Sequence, residues 1–373
     1  MKRLKVMTIF GTRPEAIKMA PLVLELQQYP DLIDPIVVVT AQHRQMLDQV
    51  LTIFNIKPDY DLNMMKAGQT LASLTVDGLV GIDEILKRVK PDLVLVHGDT
   101  TTTFIASLAA FYNQIKVGHI EAGLRTWQKY SPYPEEMNRQ LTGVLADLHF
   151  APTKQVAEHL LEENKPKKDI YITGNTAIDA LKYTLNDQYD HPVLTKIGNQ
   201  RFILMTVHRR ENLGQPMQQI FRAVKQIIDQ HADIHLIYPV HLNPAVYDLA
   251  HEMLANHPRI HLTEPLDVVD FHNLIAKSHL ILTDSGGIQE EAPTMGIPVL
   301  VLRDTTERPE GVEAGTLKLV GTDEHAIIAA VNQLLTVEKE YKKMAQASNP
   351  YGDGTASEQI VKAILKDFKG EIS

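Results

Sequence analysis

Short, continuous apolar runs alternate along the chain with segments whose apolar residues recur at helical spacing. Runs such as "KVMTIFG" (5–11) and "DLVLVHGD" (92–99) are separated by helical patterns such as "PEAIKMAPLVLELQQ" (14–28) and "TTTFIASLAAFYNQ" (101–114). Apolar residues at successive positions indicate strands buried on both faces, which is typical of a parallel sheet with helices on each side. The pattern therefore predicts an α/β protein.

The strand–helix rhythm occurs twice. A more polar region over residues 153–200, with one short strand at "IYITGN" (170–175), separates the two halves. The other predicted strands are 5–11, 35–41, 92–99, 116–123 and 147–152 in the first half, and 201–208, 233–241, 259–265, 279–285 and 298–304 in the second. We therefore expect two doubly wound, Rossmann-like domains that face a cleft.

Composition narrows the class of protein. A chain of 373 residues with 44% hydrophobic residues is long enough to bury two cores. It contains no cysteine, so disulfide bonds and thiolate metal sites are excluded. The net charge of −9 and the lack of a basic stripe argue against a nucleic-acid partner.

The first residues, "MKRLKVMTIFG", have two readings, a signal peptide or a buried first strand. The apolar run is short and Arg13 and Glu15 follow it closely, which favours the strand. No stretch approaches the ~20 apolar residues of a membrane span. We therefore expect a cytoplasmic protein without a membrane partner.

Several cofactor and metal signatures are missing. The chain has no GxGxxG after a strand, no GxxxxGK[ST] and no HExxH, so neither a nicotinamide cofactor nor a zinc site is expected. "DYD" (59–61) has the Asp-x-Asp form that can hold a metal, but its position after Pro58 favours a turn. None of the 16 histidines has ligand spacing with a carboxylate. We predict no metal.

Carboxylates follow the ends of several predicted strands, where ligands bind in such sheets. They are Asp99 in "VHGDTTTT" and Glu121 in "HIEAGLRT"; a third loop leads to Glu135 and Glu136, which "SPYPEEMNRQL" places in the first turn of a helix after Pro134. Asp99 could instead cap a helix, and Glu121 could pair with Arg125. Together they indicate acid–base chemistry with pKa values separated by burial and neighbouring charges.

Other residues at strand ends indicate an anionic ligand. Arg13 stands at a helix start, where a cation is unfavourable unless an anion binds there, and Lys18 follows one turn later. In "LTDSGGIQEEAP" (282–293), Ser-Gly-Gly begins a helix and can bind a diphosphate. Glu291 can accept both hydroxyls of a ribose, so the motif predicts a nucleoside diphosphate site.

The chain resembles the non-hydrolysing bacterial UDP-N-acetylglucosamine 2-epimerases from about residue 4 to about residue 368. The motifs that carry the resemblance occur in order: "FGTRPEAIKMAP", "TAQHRQMLDQV", "LVHGDTTTT", "HIEAGLRT", "SPYPEEMNRQLTG", "ITGNTAIDAL", "HRREN", "YPVHLNP", "LTDSGGIQEEAP", "VLRDTTERPEG" and "NPYGDG". The family implies a GT-B fold whose last helix, here "TASEQIVKAILKDF" (355–368), crosses back to the first domain. The expected domains are then 1–171 with 353–373, and 172–352.

The resemblance also implies the site. UDP-GlcNAc and UDP-ManNAc would be interconverted without a cofactor, and the enzyme would be a homodimer. Matching catalytic positions are Asp99, Glu121, Glu135 and His208. Matching substrate contacts are Arg13, Lys18, Asp99, Glu121, His208, Leu266, Phe271, Ser285, Gly286, Gly287, Glu291 and Arg308.

The chemistry favours elimination. The C2 hydrogen of the sugar is not acidic until the C1–O bond to UDP breaks, after which a carboxylate can remove it and leave a glycal. Addition of UDP and of a proton on the other face completes the epimerisation, which supplies ManNAc for cell-envelope polysaccharide. Alternative functions are a GT-B glycosyltransferase, a hydrolysing epimerase and a non-catalytic nucleotide-sugar sensor.

Some family members also bind UDP-GlcNAc at an allosteric site. The matching residues are Gln42, Gln45, Gln69, Glu135, Arg209 and His241. Gly68 stands where some relatives have an arginine, and Lys66 could replace only its charge. We therefore expect a second site that binds its activator weakly.

Overall fold

The computed structural model describes residues 2–41, 44–65 and 68–368 of the chain. The chain divides into two units, Met1–Tyr183 with Tyr351–Ser373, and Thr184–Pro350. The strands are Leu4–Phe10 (β1), Ile33–Val39 (β2), Tyr60–Asp61 (β3), Leu93–His97 (β4), Lys116–Ile120 (β5), Leu148–Ala151 (β6), Ile170–Ile172 (β7), Arg201–Thr206 (β8), Ile234–Pro239 (β9), Ile260–Thr263 (β10), Leu280–Thr283 (β11), Val299–Val301 (β12) and Leu317–Leu319 (β13).

In the described part of the chain, at least one helix lies between each pair of successive strands. They are Arg13–Leu26 (α1), Arg44–Ile53 (α2), Leu71–Val89 (α3), Thr101–Tyr112 (α4), Glu135–Leu145 (α5), Lys154–Glu162 (α6), Thr176–Thr184 (α7), Pro192–Ile197 (α8), Gln215–Gln230 (α9), Pro244–Leu254 (α10), Val268–Lys277 (α11), Gly286–Glu291 (α12), Pro309–Ala314 (α13), Glu324–Thr336 (α14), Glu338–Ala345 (α15) and Ala356–Asp367 (α16). In the described parts of the chain, no helix is both long and apolar enough to cross a membrane.

The first unit is built on a parallel sheet with the strand order β3-β2-β1-β4-β5-β6-β7. Alternate residues of β1 belong to two different hydrophobic cores, because successive side chains of a strand point to opposite faces of the sheet. Val6 and Phe10 pack with α1, α2 and α16, whereas Met7 and Ile9 pack with α3 and α4. Since both faces are covered, the strands are continuously apolar.

The second unit has a parallel sheet with the strand order β10-β9-β8-β11-β12-β13. Ile203 and Met205 of β8 pack with α9, α10 and α14 on one face. Phe202 and Leu204 pack with α8, α11 and α12 on the other. In both sheets the strand order extends outward on both sides of the first strand, β1 or β8. Because the strands are parallel, the loops that follow neighbouring strands lie at the same edge of the sheet.

The boundary between the units lies after Tyr183, whereas the sequence predicted it after residue 171. Helix α7 belongs to the first unit because the Asp179 carboxylate accepts hydrogen bonds from the backbone of Ala356 (3.2 Å) and Ser357 (2.7 Å), at the start of α16. Ala180 is also part of the first unit's core. The return of the chain likewise begins at Tyr351, close to the predicted residue 353.

The turn predicted at "DYD" is wrong, because Tyr60 and Asp61 form the edge strand β3 beside Val38 and Val39. The Asp59 carboxylate accepts a hydrogen bond from the Val37 backbone N–H (2.8 Å), which aligns the segment with β2. Asp61 pairs with Arg44. Both carboxylates therefore have structural partners, and the described residues include no group of three or more metal-ligand side chains suited to an ion.

Candidate active site

Glu15 joins the loops that follow β1 and β4. The Thr12 side chain caps α1, and Glu15 Oε2 accepts hydrogen bonds from the backbone of Gly11 (3.1 Å) and Thr12 (2.8 Å). Its other oxygen accepts a hydrogen bond from Thr100 Oγ1 (2.7 Å) in the loop after β4. The Glu15 carboxylate therefore completes the capping box of α1, and because it is buried it also fixes the neighbouring loop.

Glu121 occupies a strained position directly after β5. Its φ of 59° lies in the left-handed region, which side chains other than glycine adopt at a free-energy cost. The carboxylate pairs with Lys18 Nζ, accepts a hydrogen bond from Asn175 Nδ2 (3.1 Å) and lies 3.5 Å from His97 Nε2. Strain at a polar residue with three partners is typical of a functional position.

The charge state of Glu121 follows from these neighbours. Burial opposes ionisation, but the Lys18 ammonium and the His97 imidazole outweigh it and hold the pKa of Glu121 well below its usual range. Arg125 does not take part, since its guanidinium pairs with Glu163 (Nε to Oε1, 2.6 Å). The alternative that Glu121 pairs with Arg125 is therefore wrong.

Asp99 follows β4 and does not cap α4, since the Thr100 side chain is the cap. The capping alternative is therefore wrong. Asp99 Oδ2 instead accepts a hydrogen bond from Arg139 Nη1 at 3.1 Å, and its side chain is 30% exposed. Burial raises the pKa of Asp99 to about 6, the charges of Glu121 and Glu135 add to the rise, and Arg139 opposes it.

Glu135 and Glu136, at the start of α5, have different surroundings. Glu136 is fully buried, and its carboxylate accepts hydrogen bonds from the backbone of Thr126 (3.0 Å) and Trp127 (3.1 Å) and from the side chain of Arg139. Burial opposes ionisation, but these donors lower the pKa of Glu136 to about 2. Glu135 Oε2 has no hydrogen-bond partner in the described part of the chain. Glu136 therefore holds the loop, and Glu135 is available for chemistry.

In the second unit, the two glutamates of "SGGIQEE" point to different partners. Glu290 is buried and accepts a hydrogen bond from Arg308 Nε (2.8 Å). Glu291 Oε2 lies 3.4 Å from His272 Nε2, and a Cβ added at Gly287 would lie 3.7 Å from Glu291 Oε1. Glu290 thus holds an arginine, while Glu291 lies beside the glycine turn.

The start of α12 is suited to close approach by an anion. Ser285 is the N-terminal cap residue but makes no capping hydrogen bond through its side chain. A Cβ added at Gly286 would lie 3.1 Å from the Arg308 guanidinium, so a larger residue would displace this cation. Backbone N–H groups and a guanidinium therefore lie together, the combination that binds phosphate.

His208 follows β8 and stacks on His241, with ring centroids 5.3 Å apart and planes at 11°. Burial lowers the pKa of His208, and His241 and Arg209 lower it further, whereas Asp284 opposes the change. Arg209 Nη1 lies 3.6 Å from Glu307 Oε1. Two residues predicted for the allosteric site, Arg209 and His241, therefore lie beside His208.

Of the remaining predicted site residues, those that the structure describes lie near the ends of strands or helices. Arg13 is the first residue of α1. Leu266 and Phe271, on either side of the start of α11, are half-buried against the second unit's core. Gln69 Nε2 donates to the Met64 carbonyl (3.0 Å). Gln42 and Lys66 lie outside the described residues, as does the side chain of Gln45.

Sequence reasoning missed four residues that contact the predicted ones: His97, Asn175, His272 and Asp284. Three of them had a usable signal, since His97 shares a strand end with Asp99, Asp284 directly precedes Ser285, and Asn175 ends the predicted strand "IYITGN". His272 had none, because it lies in α11 and contacts Glu291 at the end of another helix.

Known proteins are similar to this chain over nearly its full length. The profile of the family described as UDP-N-acetylglucosamine 2-epimerase matches residues 25–365. The UDP-N-acetylglucosamine 2-epimerase of Bacillus subtilis (strain 168) is 66% identical over 365 residues, which cover 98% of this chain and 96% of that protein.

Two solved structures with nucleotides are also similar. The S. aureus MnaA–UDP co-structure is 56% identical, with a TM-score of 0.90 and coverage of 99% of this chain and 98% of that one. The UDP-GlcNAc 2-epimerase from Neisseria meningitidis bound to UDP-GlcNAc is 51% identical, with a TM-score of 0.88 and coverage of 97% and 100%.

The glycotransferase of kitacinnamycin, at 11% identity and a TM-score of 0.64 with full coverage of both chains, shares the fold alone. The predicted fold class is confirmed: two doubly wound Rossmann-like units of the GT-B type, with the C-terminal helix returning to the first unit. The sequence, the fold and the residues at the strand ends agree, and the chain belongs to the UDP-N-acetylglucosamine 2-epimerase family, whose members are isomerases.

Proposed function

We propose that this protein interconverts UDP-GlcNAc and UDP-ManNAc at C2 by elimination and re-addition of UDP through a glycal. The observation that carries the proposal is that two neighbouring carboxyl groups have well-separated pKa values. Burial raises the pKa of Asp99 to about 6, while Lys18 holds the pKa of Glu121 well below its usual range. Such a separation provides an acid and a base at the same pH. The N. meningitidis relative bound to UDP-GlcNAc supports the choice of substrate.

In this proposal the second unit holds the leaving group. The turn at Ser285, Gly286 and Gly287 binds the diphosphate together with Arg308, which Glu290 keeps in place. These donors stabilise the negative charge that grows on UDP as the C1–O bond breaks. Leu266 and Phe271 contact the uracil, and Arg13 and His208 add positive charge near the phosphates.

The first unit acts on the sugar. As the bond to UDP breaks, the C2 hydrogen becomes acidic, an ionised carboxylate removes it, and a carboxyl group on the other face returns a proton. Asp99, Glu121 and Glu135 are the groups proposed for these two steps, with Lys18 keeping Glu121 ionised. A glycosyltransferase has no need of a proton acceptor at C2, which favours the epimerase.

The elimination route predicts exchange of the C2 hydrogen with solvent. When the protein turns over UDP-GlcNAc in D2O, deuterium should appear at C2 of both sugars, because the removed proton resides on a carboxyl group that exchanges with water. NMR of the sugars measures the deuterium, and free UDP is followed in the same sample. Retention of the original hydrogen throughout would exclude elimination, steady release of UDP would indicate a hydrolase, and no turnover would indicate a sensor.

Glu291→Ala should weaken binding of UDP much more than binding of inorganic diphosphate, because the proposed partner of Glu291 is the ribose. Glu290→Ala is the matched control: its carboxylate holds Arg308, so both ligands should bind more weakly. Calorimetry gives both affinities. Equal losses for the two ligands in Glu291→Ala would show that this glutamate supports the glycine turn instead.

We also propose an allosteric UDP-GlcNAc site at Gln42, Gln45, Gln69, Glu135, Arg209 and His241, weakened by Gly68. An arginine at 68 would add a charge-assisted contact of about 1–3 kcal/mol. Gly68 has a φ of +71°, however, so any side chain there costs about 1–2 kcal/mol of backbone strain.

The strain can be separated from the charge with two variants. Gly68→Gln has the strain without the charge, so Gly68→Arg should need less UDP-GlcNAc than Gly68→Gln to activate the epimerisation of UDP-ManNAc. The measurement is the rate with pure UDP-ManNAc as traces of UDP-GlcNAc are added. If both variants need the same concentration of UDP-GlcNAc for activation, residue 68 does not contact the activator.

A homodimer is also proposed. Three helices of the first unit pack side by side and expose apolar side chains: Val76 and Val80 of α3, Phe111 of α4 and Val144 of α5. A second copy of the chain would bury them.

We further propose that the UDP-ManNAc supplies cell-envelope polysaccharide, which the family resemblance supports.

A further inference from the structure

Asp284 is a fully buried carboxylate whose two oxygens have different surroundings. Oδ2 accepts hydrogen bonds from the backbone N–H groups of His208 (3.0 Å) and Arg209 (2.9 Å) and from Asn212 Nδ2 (3.0 Å). Oδ1 is buried and has no hydrogen-bond partner within residues 2–41, 44–65 and 68–368. Buried carboxylate oxygens without a donor are unfavourable and uncommon, so one oxygen of Asp284 lacks the partner that it needs.

The His208 ring is placed to supply that partner. Its Nδ1 lies 3.7 Å from Asp284 Oδ1. The two residues follow neighbouring strands, since β8 pairs with β11 through Thr206 and Thr283, and Asp284 N donates to the Thr206 carbonyl (3.1 Å). The backbone therefore fixes where both side chains begin, and only a small rotation of the ring separates Nδ1 from hydrogen-bond distance.

Other contacts leave this rotation possible. His208 is 41% exposed, and its stacking partner, His241, lies nearly parallel to it. Rotation about χ2 tilts the ring relative to His241, and the centroid distance of 5.3 Å leaves room for a small tilt. Catalytic hydrogen bonds are often long before substrate binds and shorten in the complex.

We propose that Asp284 is a positioning residue that accepts a hydrogen bond from His208 Nδ1 when a UDP-sugar is bound, and thereby directs His208 Nε2 toward the leaving diphosphate. The inference rests on the proposed function, in which His208 contacts UDP. A carboxylate on one ring nitrogen determines where the proton resides and stabilises a positive charge on the ring. The diphosphate would stabilise the same charge from the other side.

The first test uses the unaltered protein. In the complex with UDP, 15N NMR of labelled histidine should show His208 with a proton on Nδ1, shifted downfield by the hydrogen bond to Asp284. The signal is assigned by its loss in His208→Gln. An unprotonated Nδ1 in the UDP complex would overturn the proposal.

The second test uses Asp284→Asn, which keeps the shape of the side chain but removes the negative charge. We expect kcat to fall by roughly 10–100-fold, the usual effect of losing a group that orients another, with KM for UDP-GlcNAc little changed. The Nδ1 proton should also disappear from the spectrum of the UDP complex. Unchanged kcat and an unchanged spectrum would overturn the proposal.

Asn212→Ala is the matched control because it removes a donor to the other oxygen of the same carboxylate. It should keep the Nδ1 proton and most of kcat; an effect equal to that of Asp284→Asn would mean that Asp284 only holds the turn. His208→Gln distinguishes a failure of the proposed role of His208 from a failure of its pairing with Asp284. If it keeps full activity, the proposed role of His208 fails, whereas if it is impaired while Asp284→Asn is not, only the pairing with Asp284 fails.

Discussion

Replacing Asp99 with asparagine should lower the rate of epimerisation by about 100-fold or more, the usual scale of lost acid–base assistance. The side chain keeps its shape and can still accept a hydrogen bond from Arg139, so UDP binding should persist. Glu121→Gln and Glu135→Gln should have rate effects of the same order. Steady-state kinetics with UDP-GlcNAc and calorimetry with UDP give the two quantities.

The same variant should be more stable than the wild type above pH 6. In the folded protein the pKa of Asp99 is about 6 against an ordinary value of 3.8, so the folded state holds a proton that the unfolded chain releases between these values. The stabilisation from that proton is complete below about pH 4 and is lost as the pH rises through 6. Asparagine cannot ionise, so the free energy of unfolding of Asp99→Asn should exceed that of the wild type by on the order of 2 kcal/mol above pH 6.

Urea unfolding of Asp99→Asn and wild type at pH 4, 5, 6 and 8 measures this difference. Glu136→Gln is the control, because Glu136 has a lowered pKa and many donors, so its loss should destabilise the protein at neutral pH. Full activity of the Asp99→Asn variant would show that Asp99 takes no part in the reaction. A variant with the same relative stability at every pH would show that Asp99 does not titrate near 6.

Lys18→Met should both inactivate and destabilise the protein. Lys18 and Glu121 are 15% and 12% exposed, so removing the ammonium leaves a largely buried carboxylate without its counter-ion. Loss of one member of such a pair costs about 3 kcal/mol or more. The pKa of Glu121 should also rise, which removes an ionised base and should lower the rate by about 100-fold.

The double variant Lys18→Met/Glu121→Gln distinguishes structure from chemistry. It removes both charges, so most of the stability should return while activity stays low. Lys87→Met is the control in the same unit, because Lys87 is 66% exposed where it pairs with Asp83 and should contribute less than about 1 kcal/mol. If the double variant is no more stable than Lys18→Met, the two side chains do not act as a pair.

The position of the site could be predicted from the sequence because it depends on local patterns. A continuous apolar run such as "DLVLVHGD" identifies a strand buried on both faces, and in a parallel sheet the residues after such strands meet at one edge. Asp99, Glu121 and His208 therefore became candidates without any structure. "SPYPEEMNRQL" likewise predicted the helix start at Glu135 and Glu136.

The physical reason for the division of roles between neighbouring carboxylates cannot be read from the local sequence, because it depends on partners that are remote in sequence. Glu136 is enclosed by donors from the loop before α5, whereas Glu135 keeps an unpartnered oxygen. Glu290 pairs with Arg308, and Glu291 lies beside His272 from another helix. Within each pair the sequence shows two equivalent acids, and only packing makes them different.

Local periodicity, turn chemistry and motif order by themselves determined the fold class, the two strand–helix repeats and the family. The tertiary structure decided which groups are charged. The pKa of Asp99 is raised because burial and two carboxylates act on it together, and that of Glu121 is lowered because α1 brings Lys18 to the end of β5. Electrostatic energies depend on distance in space and on solvent exposure, and neither can be read from spacing along the chain.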